Sequence, residues 1–264
     1  MTFPTEGENH HNGIKNEKNV VDYLNLNPDC EINNYFKKVN GSSIQSWSPE
    51  GGTQQQMDAS YQLEGRKKGI SIKNHKTGTF DWMNTTKYVP EKTKKDIENF
   101  KIENKGAYVP KKGGIRDELN NILDSHLENN ISSLLITELL DYFYKKEPET
   151  DHILINKQKT REYVLIKKAE LNNIFNPSNN HEFILKRTSR AKKAKTSRQI
   201  WIKQADGTEK NTTLRLRLTI NNSITSLLET KREKKNSCSV VFKLQQDHVD
   251  KFIDECSETI TTKY

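Results

Sequence analysis

The feature that most constrains this chain is the stretch 57–75, which reads MDASYQLEGRKKGISIKNH. Apolar and polar residues alternate on both sides of a GRKK segment that is suited to a turn. A period of two is typical of β-strands, because successive side chains point to opposite faces of a sheet. The stretch therefore predicts two short strands joined as a hairpin.

The polar residues of both predicted strands fall on one face of this hairpin. With GRKK as the turn, Glu64 is expected opposite Gly69, and Asp58 then lies diagonal to Lys73. Ser71 shares that face, although a slip of one residue would move it to the other face. A polar sheet face is either solvated or a site for a shared ligand, and the hairpin alone leaves both interpretations open.

Composition narrows the class of protein to which the chain belongs. The chain has 264 residues, of which 32% are hydrophobic and 30% are charged, with a net charge of +8 and a pI of about 9.1. A basic balance favours a polyanionic partner such as nucleic acid. No segment has the apolar core of a signal peptide or the roughly 20 apolar residues of a membrane span. The widely spaced Cys30, Cys238 and Cys256 predict free thiols in a reducing compartment, so we expect a soluble, cytoplasmic protein without a membrane partner.

The rest of the chain predicts an α/β fold, with a mixed central β-sheet flanked by helices. A helix is expected from near Gly13 through IKNEKNVVDYLNLN, with Glu17 on its polar side, and SIQSW is expected to form a strand. An apolar stripe between 119 and 143 predicts two helices with a break near 129–130, and strands alternate with helices after 151. We expect a single domain over 1–264, with the hairpin subregion in 1–110 and a helical scaffold with basic strands and loops in 111–264.

Basic residues concentrate in the second half of the chain. No acid occurs between 182 and 206, where Ser, Thr and Ala separate the Arg and Lys residues. Arg, Lys, Ser and Thr are residue types that hold phosphate oxygens. A solvated basic loop is the alternative. Two Asn residues after the RLRLTI strand could read adenine or form a turn. The candidate nucleic-acid contacts are Lys186, Arg187, Arg190, Lys192, Lys193, Arg198, Arg215, Arg217, Asn221, Asn222 and Lys231.

Three blocks of the sequence resemble the PD-(D/E)xK nucleases, and in particular the small type II restriction endonucleases of the HinP and MspI kind. GIKNEKNVVDYL resembles their opening helix, and MDASYQL followed by GISIKNHK resembles their metal-binding hairpin. RLRLTINN and SVVFKLQQD loosely resemble their final strands. The resemblance implies a restriction-endonuclease-like α/β core.

The resemblance also implies roles for individual residues. Asp58 would ligate Mg²⁺, with Ser71 and the carbonyl of Ile72 as further ligands, and Lys73 would hold the attacking water and help to deprotonate it. Glu17 would add a carboxylate from the helix. Two departures matter: Met57 stands where the motif has Pro, and Ser71 stands where it has an acid or a neutral amide. The missing acid makes Glu17 and Glu64 candidates for its replacement.

The resemblance implies a Mg²⁺-dependent enzyme that makes double-strand cuts in short (about four base pair) palindromic DNA, read through base edges. Its partner would be duplex DNA, a cognate methyltransferase would be encoded nearby, and a homodimer on DNA is one option that the sequence leaves open. Two alternatives remain: a resolvase or repair nickase of the same superfamily, and a non-catalytic basic protein that binds nucleic acid.

Overall fold

A computed structural model describes residues 6–50, 57–75, 79–110, 113–145, 149–175, 177, 181–187, 196–220, 223–229, 238–245 and 249–264. The helices are α1 Glu6–Leu26, α2 Glu31–Asn40, α3 Glu91–Glu103, α4 Ile115–Asn129, α5 Ser133–Lys145, α6 Lys168–Phe175, α7 Ile224–Glu229 and α8 Val249–Glu255. The strands are β1 Ser48–Pro49, β2 Ala59–Leu63, β3 Arg66–His75, β4 Thr79–Thr85, β5 Thr150–Lys157, β6 Glu162–Lys167, β7 His181–Lys186, β8 Ser197–Gln204, β9 Glu209–Ile220, β10 Cys238–Gln245 and β11 Thr259–Lys263.

The chain divides into two compact units that are interleaved in sequence. The first unit takes Met1–Gly78, Tyr144–Ile174 and Val249–Tyr264, and the second takes Thr79–Phe143 and Phe175–His248. The division does not fall at the predicted subregion boundary near 110, because the first unit draws on both ends of the chain.

The first unit is built on a six-stranded sheet in the order β1-β2-β3-β5-β6-β11. Strands β3 and β5 are parallel, and the other neighbouring pairs are antiparallel. The prediction of an α/β fold with a mixed sheet and helices is therefore confirmed. The parallel β3–β5 pair brings the hairpin next to a strand that lies far away in sequence.

Helices α1 and α2 pack on one face of this sheet. Val20, Val21 and Leu24 recur at helical spacing on α1 and are buried against the side chains of Ile70 and Ile72. Ile70 and Ile72 alternate with Ser71 and Lys73 along β3, so Ser71 and Lys73 point to the opposite face of the sheet. The helix begins at Glu6, earlier than predicted. Ile14, whose spacing from Val21 predicts a place on the apolar face, is 44% exposed.

The second unit is built on a five-stranded antiparallel sheet in the order β4-β10-β9-β8-β7. Apolar and polar residues alternate along β9: Leu214, Leu216 and Leu218 are fully buried, and α4 packs on β8 and β9. The predicted break between two helices is also confirmed, since α4 ends at Asn129 and α5 begins at Ser133.

Two sequence predictions about strands are wrong. The SIQSW segment is not a strand, and the only strand in that region of the described chain is β1 at Ser48–Pro49. Strand β11 was not predicted at all. The three cysteines are free thiols, as expected. None of the helices in the described part of the chain is both long enough and apolar enough to cross a bilayer.

Candidate active site on the β2–β3 hairpin

The hairpin is present, but its turn lies earlier than predicted. Strands β2 and β3 are joined through Glu64 and Gly65, which both have positive φ (+50° and +74°), and Leu63 pairs with Arg66. Positive φ at both central residues is the mark of a tight turn that matches the twist of paired strands. The prediction of a GRKK turn is therefore wrong, and β3 begins within that segment.

The correct register brings Asp58 opposite Ser71, whereas the predicted pairing of Glu64 with Gly69 would have brought it opposite His75, four residues later. The amide nitrogen of Asp58 donates to the Ile70 carbonyl at 2.9 Å, which fixes the start of the pairing. Because the shift is an even number of residues, Asp58, Ser71 and Lys73 still share one face. The predicted grouping of polar side chains therefore survives an incorrect register.

Two hydrogen bonds hold the Asp58 carboxylate against β3. Ser71 Oγ donates to Asp58 Oδ2 at 3.0 Å, and the amide nitrogen of Ile72 donates to the same oxygen at 2.6 Å. Ser71 is only 4% exposed, whereas Asp58 is half-buried. Hydrogen bonds to a charged acceptor are the stronger kind, so the carboxylate is held in a defined orientation at the open end of the hairpin.

The backbone of Ile72 faces the same opening. The β2–β3 ladder ends at the pair of Ala59 and Ile70, and beyond it no strand among the described residues pairs with β3 on this side. The N–H and C=O of one residue in an extended strand point to the same edge, and the Ile72 N–H points at Asp58. The Ile72 carbonyl is thus directed to the opening next to Asp58, as a metal-binding role would require.

Glu17 on α1 is electrostatically coupled to two of these residues. Burial raises the pKa of the Glu17 carboxyl, the Asp58 carboxylate raises it further, and the Lys73 ammonium lowers it. Like charges at short range disfavour ionisation and opposite charges favour it. The structure therefore brings Glu17, Asp58 and Lys73, which are far apart in the chain, within range of one another.

Glu50 is a carboxylate beside Asp58 that the sequence did not suggest. Its amide nitrogen donates to the Asp58 carbonyl at 3.1 Å, and Ser60 Oγ and Lys67 Nζ donate to its carboxylate. Burial raises the pKa of Glu50, but the bonds from Lys67 and Ser60 outweigh it and keep that pKa below its ordinary value. No local signal marks Glu50, because its position depends on the two-residue strand that precedes it.

Glu64 is not near the candidate site. It forms the hairpin turn and is exposed, whereas Asp58 precedes the other end of β2. A strand of this length spans roughly 17 Å. Of the two acids proposed to replace the missing one, only Glu17 lies near Asp58.

The donors in this site are oxygens. Asp58 and Glu17 supply carboxylates, Ser71 a hydroxyl and Ile72 a carbonyl, which is the kind of ligand set that Mg²⁺ accepts while it retains bound waters. Within the described residues, no cluster of three or more His, Cys, Asp or Glu side chains could hold a metal. The set therefore fits a hard ion that takes part of its shell from water and backbone, and it does not fit a closed cage of side chains.

Three of the predicted DNA contacts are engaged with acids of the second unit. Lys186 Nζ contacts Glu209, and Arg187 contacts Asp124 (3.1 Å) and Glu128 (2.6 Å). The side chains of Lys186 and Arg187 are exposed or partly exposed. The third residue, Arg198, is 3% exposed and contacts Asp124 at 2.5 Å. The burial of Arg198 does not favour a direct contact with phosphate.

Strand parity separates Arg198 from the other arginines of this sheet. Arg198 pairs with the buried Leu216 on the side where Asp124 of α4 packs, whereas Arg215 and Arg217 point to the opposite face and are half-buried. Their nucleic-acid contacts stay predictions. The remaining candidates lie outside the described residues: Arg190, Lys192, Lys193, Asn221, Asn222 and Lys231.

Comparisons with known proteins give little. No family model and no curated protein matches the chain. Among solved structures, the chain is similar to one described as HhaI endonuclease in complex with DNA, at 10% identity over 85% of this chain and 96% of that one, with a TM-score of 0.28. A structural likeness this weak carries no argument about fold or function.

Proposed function

We propose that this protein is a Mg²⁺-dependent DNA endonuclease whose active site lies at the open end of the β2–β3 hairpin. The observation that carries the proposal is the Asp58 carboxylate, which Ser71 Oγ and the Ile72 amide hold on the face that also carries Lys73. The charges of Asp58 and Lys73 both act on the Glu17 carboxyl and shift its pKa. Two acids and a lysine at one end of a sheet are what metal-assisted hydrolysis of a phosphodiester needs.

Each residue of the candidate active site has its own role in the proposed reaction. Asp58, Glu17 and the Ile72 carbonyl would hold the ion, and Ser71 would keep the Asp58 carboxylate oriented. A bound Mg²⁺ supplies a more acidic water and stabilises negative charge on phosphate. Lys73 places a positive charge on the same face, where it orients the attacking water and offsets the charge that develops on the phosphate.

The finer proposal is a type II restriction endonuclease that makes double-strand cuts in a short palindrome and leaves 5′-phosphate and 3′-hydroxyl ends. It rests on the resemblance of the helix and hairpin blocks to the HinP and MspI kind. The basic balance of the chain, +8, is consistent with duplex DNA as the substrate.

The test is digestion of a phage genome with Mg²⁺, followed by sequencing of the ends. Discrete fragments that end at one short sequence support restriction, whereas nicking at junctions or mismatches points to a structure-specific nuclease. Asp58→Ala and Lys73→Ala should each abolish cleavage. Lys68→Ala is the matched control, because Lys68 lies on the same strand but on the opposite face. Wild-type protein that leaves DNA intact would overturn the proposal.

A further inference from the structure

A chain of buried polar groups connects Tyr264, which follows β11, to the turn of α1 that carries Glu17. The hydroxyl of Tyr264 donates to Asn156 Oδ1 at 2.7 Å, and Asn156 Nδ2 donates to Asn16 Oδ1 at 2.5 Å. Asn156 is 4% exposed and Asn16 is 6% exposed. We call these three residues the amide relay.

The amide relay ends next to the candidate site. Asn16 directly precedes Glu17 on α1, and Asn156 pairs in the parallel ladder with Asn74, the residue after Lys73. The hydrogen bond between Asn16 and Asn156 therefore fixes the middle of α1 against the sheet at the level of Lys73. This placement follows from strand register and hydrogen bonds alone.

The end of the relay at Tyr264 is held firmly. The ring of Tyr264 stacks on Tyr163 with centroids 4.2 Å apart and an interplanar angle of 18°, and its amide nitrogen donates to the Arg161 carbonyl at 3.1 Å. Tyr23 of α1 packs edge-on against both rings. The Tyr264 hydroxyl is thus a fixed donor.

A fixed donor decides which way the Asn156 amide faces. While the Tyr264 hydroxyl donates to Oδ1, the Nδ2 group is directed at Asn16. Without that hydroxyl the amide is free to rotate, which would set its oxygen against the oxygen of Asn16. Both amides are buried, so leaving either amide oxygen without a donor is costly, and Asn16 would move in response.

We propose that Tyr264 is a positioning residue of the candidate active site: through Asn156 and Asn16, its hydroxyl sets where Glu17 stands relative to Asp58 and Lys73. The inference rests on the proposed function, since it assigns Glu17 to the metal site. It predicts that the hydroxyl of the residue that follows β11 controls metal binding without contacting the metal.

The variant that tests this is Tyr264→Phe, which keeps the stacked ring and removes only the hydroxyl. The matched control is Tyr23→Phe. Tyr23 also links α1 to the end of β11, since its hydroxyl donates to the Lys263 carbonyl at 2.8 Å, but that hydroxyl is not bonded to Asn156 or Asn16. Tyr23 and Asn16 are seven residues apart, so both lie on one face of α1. Tyr264→Phe and Tyr23→Phe therefore both loosen the packing of α1 against the end of β11.

The measurements are Mg²⁺ binding to the DNA-free protein by calorimetry, the Mg²⁺ concentration for half-maximal cleavage, and Tm. Tyr264→Phe should weaken Mg²⁺ binding roughly tenfold, the usual effect of losing a group that orients a ligand. Tyr23→Phe should leave Mg²⁺ binding unchanged while lowering Tm to a similar extent. In a Glu17→Gln background, Tyr264→Phe should have no further effect on Mg²⁺ binding, because its effect passes through Glu17.

The outcomes separate this inference from the proposed function. Three results would each overturn the positioning role of Tyr264. The first is equal Mg²⁺ affinity in wild type and Tyr264→Phe, and the second is an equal loss of Mg²⁺ affinity in both tyrosine variants. The third is a full additional loss of Mg²⁺ affinity when Tyr264→Phe is added to Glu17→Gln. Wild-type protein that binds Mg²⁺ as described but cuts no DNA would overturn the nuclease and leave the relay standing. Wild-type protein that binds no Mg²⁺ would overturn both.

Discussion

At the scale of single residues, Ser71 decides how much negative charge the candidate site holds. It lies opposite Asp58 and is 4% exposed, so an acid there would put two carboxylates side by side away from water. Ser71→Asp should lower Tm in the absence of metal, and Mg²⁺ should restore more Tm to this variant than to the wild type. Thermal unfolding with and without Mg²⁺ measures both effects.

The control for this substitution is Ser71→Asn, which adds similar bulk without charge. If Ser71→Asn gains as much from Mg²⁺ as Ser71→Asp does, the effect is one of size and the charge argument is wrong. Ser71→Ala removes only the hydroxyl bond to Asp58 and should cost about 1 kcal/mol of stability.

His126 gives the second unit a defined pH dependence. Asn130 Nδ2 donates to His126 Nδ1 at 2.5 Å, and His126 Nε2 donates to Asp96 Oδ2 at 3.0 Å, a pattern that fits the neutral imidazole. Burial lowers the pKa of His126 by more than Asp96 raises it. The unfolded chain then binds the proton more readily, so stability is lost as pH falls below about 6.5, the unfolded value.

Denaturant unfolding between pH 5 and 8 checks this prediction. Each unit of pKa difference is worth about 1.4 kcal/mol, and His126→Gln should flatten the curve by its own share. His75, whose pKa burial also lowers, accounts for part of the remaining slope. A pH profile of His126→Gln that runs parallel to the wild type would contradict the assignment.

At the scale of the elements, the close approach of β2 to β3 depends on Gly69. A Cβ added there would lie 2.2 Å from the Ala59 carbonyl oxygen and 2.7 Å from the Met57 side chain. A backbone atom cannot yield as a side-chain end can, so Gly69→Ala should force the strands apart and cost roughly 1–3 kcal/mol. Because Asp58 directly precedes Ala59, cleavage should fall as well.

Gly13→Ala serves as the control, since a Cβ at Gly13 meets nothing within 4 Å and the residue lies in α1. It should be neutral or slightly stabilising, because alanine loses less entropy than glycine in a helix. Equal unfolding free energies for the two alanine variants would show that the Gly69 contact is not needed.

The hairpin shows how far local sequence reaches. Strand parity placed Asp58, Ser71 and Lys73 together, and parity depends only on alternation, which the sequence displays directly. The register depends on where the turn falls, and a non-glycine residue with positive φ at Glu64 is uncommon enough that GRKK was the more ordinary choice. The face was therefore predictable, whereas the partner of Asp58 was not.

Elements that depend on pairing between residues distant in sequence could not be predicted from the local sequence. β11 is a short, threonine-rich segment whose strand character comes from its ladder with β6, in which Thr261 pairs with Val164. Glu50 and the amide relay belong to the same class, since each contact that places them joins residues that pattern and propensity do not link. The role of the helix carboxylate Glu17, by contrast, is implied by the resemblance of its helix block to the opening helix of the nuclease family, and periodicity alone does not mark it.

At the scale of the whole molecule, the two compact units are interleaved in sequence. The first unit closes only when β11, near residue 260, pairs with β6. Neither unit is a continuous stretch of chain, so no linker or change of composition marks a boundary that sequence reading could detect.

The excess of positive charge predicts DNA binding that weakens with salt, and the two sheet faces of the second unit predict which arginines carry it. Arg215 and Arg217 share the face opposite that of Arg198, whereas Arg187 is engaged with Asp124 and Glu128. Replacing both Arg215 and Arg217 with Gln should weaken binding of uncut duplex, measured without Mg²⁺, and should reduce the slope of log K against log salt by about 1.8 if each arginine contacts one phosphate. Arg187→Gln, which removes one positive charge from an ion-paired site, should change the slope far less. If the slope falls as much per charge in Arg187→Gln as in the double variant, then net charge alone governs binding and the β9 face has no special part in it.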